Sequence, residues 1–354
     1  MIEKFYCYKV LNVGCDYKVP KGGVAQVMNS YSQFVYNPFR CIVNSCDGNK
    51  LQKLWVALYA IVKTFFFLLF DRRIRILHIH TASYNSFYRS ALWIRLSKFF
   101  KKKIVLHIHG GAFKEFYASN PRQIQQFLDK CDCIITLSQS WKEYFSNELR
   151  CQHVEVVENI VPTPTIQSDT KSDDKFHLLF LGLIHRDKGI FDLLEMIANQ
   201  NEEWQNKILL HVGGNGAVSE LTNFISEHGL QHCVKYEGFV SGDKKVHLLN
   251  LCDAFILPSY VEGVPISILE AMSYSKPILA TKVGGIPEIV ENGGNGFLIA
   301  PGDKSSLLEN INQLMNNAEL CRYMGECSYR RVQGALPPEI IKKLNKIYRD
   351  FFNK

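Results

Sequence analysis

Short, β-branched apolar runs alternate with helix-length segments along the whole of this chain, and that alternation constrains the fold more than any other feature. The candidate strands are 6–13, 76–80, 104–109, 133–137 and 154–157 in the first half. In the second half they are 177–181, 208–212, 234–236, 254–257 and 278–280. Apolar strands spaced by helices predict a parallel sheet covered on both faces. At 354 residues the chain is long for one domain and comfortable for two. A polar stretch with two prolines, 161–175, has the composition of an exposed linker. The expected fold class is therefore α/β, with two doubly wound, Rossmann-like parallel-sheet domains facing each other across a cleft, where such folds bind ligands. The expected boundaries are 1–162, a linker at 163–175, 176–336, and a last helix at 337–354 that packs back toward the first domain. That helix carries apolar residues at Ile340, Ile341, Leu344, Ile347 and Tyr348.

Composition narrows the partners. A net charge of +7 lacks the density of a nucleic-acid binder, but it suits phosphate-bearing ligands or an anionic membrane surface. The 11 cysteines are scattered without a CxxC pair. Cys131 and Cys133 fall on one strand face, too few ligands for a metal site, and reduced thiols of a cytosolic protein are the expectation. The N-terminus reads as a first strand rather than a signal peptide, so a cytoplasmic location is expected. The run 54–70, LWVALYAIVKTFFFLLF, carries Lys63 at its middle and is followed by Asp71, Arg72 and Arg73. It reads as a buried or half-buried helix. The alternative is a helix lying in the membrane interface with its basic cluster against headgroups, on the inner face of the membrane. A true transmembrane span is not expected.

The densest chemical signal is 257–290, LPSYVEGVPISILEAMSYSKPILATKVGGIPEIV. A strand ends at Leu257, and Pro265 falls where the first turn of a helix should begin, a position that suits its fixed φ and missing amide. The free amides of Ile266 and Ser267 at the positive helix end would suit a phosphate. Glu262 sits in the loop before the helix and Glu270 more than a turn inside it. The segment resembles the signature of the family 4 retaining glycosyltransferases, two glutamates separated by seven residues in an EGxPxxxLEAM context. Glu262, Gly263, Pro265, Leu269, Glu270, Ala271 and Met272 match it, and Gly284 to Glu288 matches the family's GGxPE turn. The resemblance implies that Glu262 contacts the donor sugar and Glu270 the ribose hydroxyls, with Val264 lining the same loop.

Further matches follow. Phe180 to Gly189 resembles the family's strand-to-helix phosphate loop, with Lys188 on the lysine that pairs with the donor pyrophosphate. Leu183 stands where the family often has arginine; Arg186 is the candidate replacement. His211 to Gly216 resembles a family turn in which a tight bend is as well supported as ligand contact. Gly238, Phe239 and Val240 match a G-x-V segment whose backbone flanks the base. In the first half Gly22 and Gly23 match a loop beside donor phosphate and acceptor, and His109 matches the histidine that reaches the transferred sugar. His107 shares a strand face with His109. His78 and His80 form a similar pair expected to pack or hydrogen-bond in the core, and no zinc site is expected from these four.

The implied reaction is transfer of a sugar from a nucleoside diphosphate sugar to a hydroxyl of a glycan or lipid-linked acceptor, with retention of configuration. Surface polysaccharide assembly is the expected setting. No Asp-x-Asp pair marks a metal-bound diphosphate, so no metal and no cofactor are expected. Peripheral contact with an anionic membrane is the alternative that the 54–70 helix leaves open, and no nucleic acid is expected. Two other enzyme classes share the scaffold: a nucleotide-sugar epimerase or phosphorylase, and a nicotinamide-dependent oxidoreductase. The oxidoreductase reading lacks a complete glycine fingerprint with its acidic partner. A non-catalytic membrane scaffold is a third alternative, against which the intact glutamate pair speaks.

Overall fold

The computed structural model describes residues 1–18, 22–46, 48–166 and 173–352. Two compact units emerge, one from Met1–Pro162 with Gly334–Lys354, the other from Thr163–Gln333.

The first unit holds six strands: β1 Val10–Cys15, β2 Cys41–Ser45, β3 Ile76–Thr81, β4 Lys103–Ile108, β5 Cys133–Thr136 and β6 Val154–Val156. They run in the order β2-β1-β3-β4-β5-β6, every pairing parallel. β3 is buried at all its positions, as a strand covered by helices on both faces must be. The second unit repeats the plan with β7 Phe176–Leu181, β8 Ile208–Gly213, β9 Val234–Gly238, β10 Ala254–Leu257, β11 Ile278–Thr281 and β12 Gly296–Ile299, ordered β12-β11-β10-β7-β8-β9 and again parallel. In each sheet the strand order reverses beside the first strand of the unit, β1 or β7, so the loops leaving its C-terminal edge splay apart and open a crevice.

The N-terminal segment departs from expectation. Lys4–Lys9 is a helix and the first strand starts only at Val10. Tyr6 is buried because its ring lies 5.9 Å from Tyr348 and 5.8 Å from Phe352, on the returning C-terminal segment. The helix Pro337–Asp350 starts with proline at its first turn and buries Ile340, Leu344, Ile347 and Tyr348. Of the stretch expected as linker, Val161 is buried and its amide bonds the Ala335 carbonyl, while Thr165 is held by the Tyr274 hydroxyl and the Asn250 amide. Residues 167–172 of that stretch lie outside the described residues, as do Val19, Pro20 and Lys21 before the Gly22-Gly23 pair.

The apolar run 54–70 is half-buried, one of the two states expected of it. It is a helix, Lys50–Phe70, opened by a capping box between Asn49 and Gln52. Only Ala60, Thr64 and Leu68 are buried, against β2 and the helix Asn85–Phe99, where the Trp93 indole donates to the Thr64 hydroxyl at 3.1 Å. Ile61 and Phe67 pack partly against the same core, and Trp55, Tyr59, Val62, Phe66, Leu69 and Phe70 are exposed.

Candidate active site

In the second unit the residues singled out by sequence gather at the C-terminal edge of the sheet. After β10 the chain turns through Ser259 to Pro265 and enters the helix Ile266–Ser273. Pro265 is the residue before that helix rather than its first turn, one position earlier than expected, and no side chain caps the helix. The amides of Ile266 and Ser267 thus stay available for an anion.

Glu262 is held in this loop by two donors. Lys188 Nζ lies 2.6 Å from its Oε1, and the Ser259 hydroxyl donates to the same oxygen at 3.0 Å. Lys188 comes from a short turn, Arg186–Lys188, after β7; Gly189 ends that turn in the left-handed region. Glu270, buried one turn into its helix, is paired by Lys245 Nζ at 2.5 Å. Lys245 comes from the helix Gly242–Leu251, which follows Gly238, Phe239 and Val240. The site thus carries two lysine–carboxylate pairs, each with its charges largely desolvated. Breaking either without a replacement partner would leave a buried charge uncompensated.

The glycines supply the backbone geometry. Gly284 has φ +53, and a Cβ there would sit 1.9 Å from the Glu262 carbonyl oxygen; the Gly285 amide donates to the Gly263 carbonyl at 2.7 Å. The GGxPE turn therefore acts as the floor under the Glu262 loop. Gly214 has φ +157 and would place a Cβ 1.8 Å from the Gly182 carbonyl oxygen, so the glycine-rich turn after β8 is required by backbone approach within the unit. Phe239 is exposed beside Gly238 at the end of β9, and Leu183 is exposed near Lys188. Arg186 points elsewhere: its guanidinium bonds Glu220 at 2.5 Å and lies over the Phe191 ring.

In the first unit Gly22 precedes the helix Gly23–Ser30 in extended conformation. A Cβ at either Gly22 or Gly23 would meet nothing within 4 Å, so packing of the unit does not demand glycine at these two positions. His109 follows β4 and belongs to a stack of four imidazoles. Ring centroids are 4.1 Å apart for His107 and His109, and 4.4 Å for His78 and His80. Asn12 Nδ2 donates to the Arg40 carbonyl, which leaves Asn12 Oδ1 to accept from His80 Nε2 at 3.4 Å. His80 Nδ1 is then the acceptor for His109 Nε2–H at 3.1 Å, a tautomer assigned from the hydrogen-bond network. The lone pair of His109 is thereby assigned to Nδ1. Burial holds His78 and His109 down at a pKa of about 3, and His80 and His107 well below the usual range. Nitrogens of His78, His80 and His107 lie within 4.8 Å of one another, a spacing a metal could use. Hydrogen bonds to Tyr348, Asn12, His107 and His109 occupy both nitrogens of His78 and of His80, whereas among the described residues His107 Nε2 is buried without a partner and no carboxylate joins the three.

Lys245 and Ser259 were not foreseen as site residues. Lys245 has no sequence signal, since it meets Glu270 only through the tertiary fold, whereas Ser259 stands three residues before Glu262 in the same loop and its S-x-x-E spacing was there to be read.

Both units match models of glycosyltransferase families. Residues 163–331 match the model for glycosyl transferases group 1, and 41–164 match that for glycosyltransferase family 4. The solved structure of Anabaena HepE in complex with UDP superposes with a TM-score of 0.75 at 19% identity, over 97% of this chain and 100% of that one. The fold is thus of the glycosyltransferase B class. Within that class the chain belongs to the family 4, group 1 glycosyltransferases. An uncharacterised glycosyltransferase of Methanocaldococcus jannaschii is 32% identical over 42% of this chain and 40% of its own length. The O-antigen chain mannosyltransferase C of Escherichia coli is 27% identical over 59% of this chain and 58% of its own. The matches thus span about two fifths to three fifths of these relatives' lengths.

Proposed function

We propose that this protein transfers a sugar from a nucleoside diphosphate sugar to a hydroxyl of a glycan or lipid-linked acceptor, retaining anomeric configuration and using neither metal nor cofactor. The observation that carries the reading is the pair of lysine–glutamate contacts, Lys188–Glu262 and Lys245–Glu270, beside the uncapped start of the helix Ile266–Ser273. Departure of the diphosphate is the difficult step, and it needs positive charge and amide dipoles fixed in advance. Lys188 supplies the charge, and the amides of Ile266 and Ser267 the dipoles. As donor enters, Lys188 exchanges the Glu262 carboxylate for the pyrophosphate, and the released Glu262 accepts hydrogen bonds from the sugar. Glu270 accepts from the ribose hydroxyls, with Lys245 holding it in place. Gly238 and Phe239 lie beside the base. Arg186 joins the phosphates only by leaving Glu220. His109, neutral through burial, is the residue assigned to the reacting sugar, and Gly22 and Gly23 are assigned to phosphate and acceptor.

The setting proposed is surface polysaccharide assembly in the cytoplasm at the inner face of the membrane. The name of the E. coli relative supports that setting.

A panel of nucleotide sugars, read by thermal unfolding, tests the donor site. One donor at about 100 times its Kd stabilises by about 2.7 kcal/mol, a shift on the order of 5–10 °C for units of this size. Glu270→Ala is expected to lose that shift. Stabilisation by a nicotinamide dinucleotide and by no nucleotide sugar would overturn the reading in favour of an oxidoreductase.

A further inference from the structure

The helix Lys50–Phe70 presents its apolar stripe to solvent, not to the core. Trp55 is 71% exposed, Tyr59 65%, Phe66 52% and Phe70 72%, with Val62 and Leu69 between them on the same side. Residues at this spacing line one face of a helix about 30 Å long. Among the described residues it is the one helix long and apolar enough to cross a membrane by length and composition, with 17% of its apolar window buried. Yet its opposite face belongs to the first unit, fastened by Ala60, Thr64 and Leu68 and by the Trp93–Thr64 hydrogen bond. A helix packed along one side and bare and apolar along the other fits a surface that it can lie upon.

The charges around the stripe choose that surface. Lys63, Arg72 and Arg73 flank it, and the helix itself contains no carboxylate. Asp71, just beyond its end, is spent on Arg40 at 2.7 Å and Arg73 at 2.9 Å. Lys63 lies 5.7 Å from the Tyr59 ring centre, so its stem covers the apolar face while its ammonium stays at the edge. Beside the stripe and the turn at Asp71 lies a groove of about 820 Å³ floored by Phe66 and Phe70, with Lys63, Arg72 and Arg73 at its rim. The neighbouring helix Asn85–Phe99 extends the patch: Phe99 is 75% exposed and stacks edge-on with Phe100, which meets Phe65 at 5.3 Å. A second copy on this face would set Lys63 and Arg72 against like charges, with the adjacent Asp71 already paired to Arg40 and Arg73. A bilayer with anionic headgroups supplies both an apolar interior and the missing phosphates. Trp55 and Tyr59 are the side chains that settle at such a boundary.

We propose that the helix Lys50–Phe70 lies flat in the interface of an anionic bilayer, with Trp55, Val62, Phe66 and Phe70 among the acyl chains and Lys63, Arg72 and Arg73 at the lipid phosphates. This deepens the membrane part of the proposed function and is independent of the donor chemistry. The full chain is mixed with phosphatidylglycerol-containing vesicles and with neutral phosphatidylcholine vesicles, and floated on a density gradient. Flotation with the anionic vesicles is expected, falling about tenfold or more in Arg72→Glu plus Arg73→Glu, and lost in Phe66→Glu plus Phe70→Glu. Lipids brominated along their acyl chains are expected to quench tryptophan fluorescence in the native protein and not in Trp55→Phe. Nucleotide-sugar stabilisation, measured on the same variants, is expected to be unchanged, so a failed donor site and a failed membrane face give different results. Absence of flotation overturns the proposal. So does flotation without quenching of Trp55, which would be adsorption by charge alone, and so does a lipid-free dimer that Phe66→Glu disperses and that does not float.

Discussion

Gly284→Ala is expected to lower donor turnover, read as release of nucleoside diphosphate, by at least about 100-fold while leaving both sheets folded. Two effects add at this position. Alanine in the left-handed region costs about 1–2 kcal/mol, and its Cβ would stand 1.9 Å from the Glu262 carbonyl oxygen and 3.1 Å from that of Gly263. The first can be absorbed by the stability of the unit. The second cannot be relieved by a rotamer, because the opposing atoms are backbone, so the loop carrying Glu262 must move. Lys188 and Ser259 both reach Glu262 Oε1, and a displaced carboxylate loses these two donors together. Gly229→Ala is the control: its φ is +64, yet nothing lies within 4 Å of the added methyl, so strain acts there without displacement. Circular dichroism and thermal unfolding of the two variants are expected to be similar, and turnover to separate them. Equal turnover would show that Glu262 is not held by this floor.

The comparison between sequence and structure follows the range of the forces involved. Strands such as β3 and β10 are buried throughout, and their short apolar runs, unbroken in β10 and interrupted by His78 and His80 in β3, announced them. The edge strands β2 and β12 were not foreseen: Cys41–Ser45 is buried only at alternate residues, and Gly296–Ile299 is four residues led by a glycine. Lys4–Lys9 was read as strand because nothing local reveals that Tyr6 will meet Tyr348 and Phe352, more than 300 positions away. The helix Lys50–Phe70 was legible as a helix buried or half-buried, and the fold decides between the two by covering one face alone. At the candidate site Lys188, Glu262 and Glu270 were legible through their motif context. The Lys245–Glu270 pair was not, because no spacing rule links a helix after β9 to a helix after β10.

Acid is expected to unfold the first unit far more readily than a protein of this composition would suggest. His78, His80, His107 and His109 stay neutral when folded because burial disfavours their charged forms, whereas each would titrate near 6.5 in the unfolded chain. Above pH 6.5 both states are neutral and the four contribute nothing to pH dependence. Between pH 6.5 and about 3, the pKa of His78 and His109, the unfolded chain binds protons that the folded one refuses, so stability falls as pH falls. Each histidine contributes a slope of about 1.4 kcal/mol per pH unit in that window, and four together roughly 5 kcal/mol. That is a large share of the ~5–15 kcal/mol that holds an ordinary domain folded. The cause is built into the sheet, because β3 and β4 place their histidines on one face at adjacent positions and Tyr31 packs against three of the four rings. Denaturant unfolding at pH 7.0, 6.0 and 5.5 measures the slope directly. Replacing His80 and His107 together by asparagine, which carries polar atoms but does not titrate, is expected to lower stability at pH 7 and to roughly halve the slope. A stability unchanged between pH 7 and 5 would mean that the stack takes up protons without unfolding, and the neutral state assigned to His109 would then be wrong.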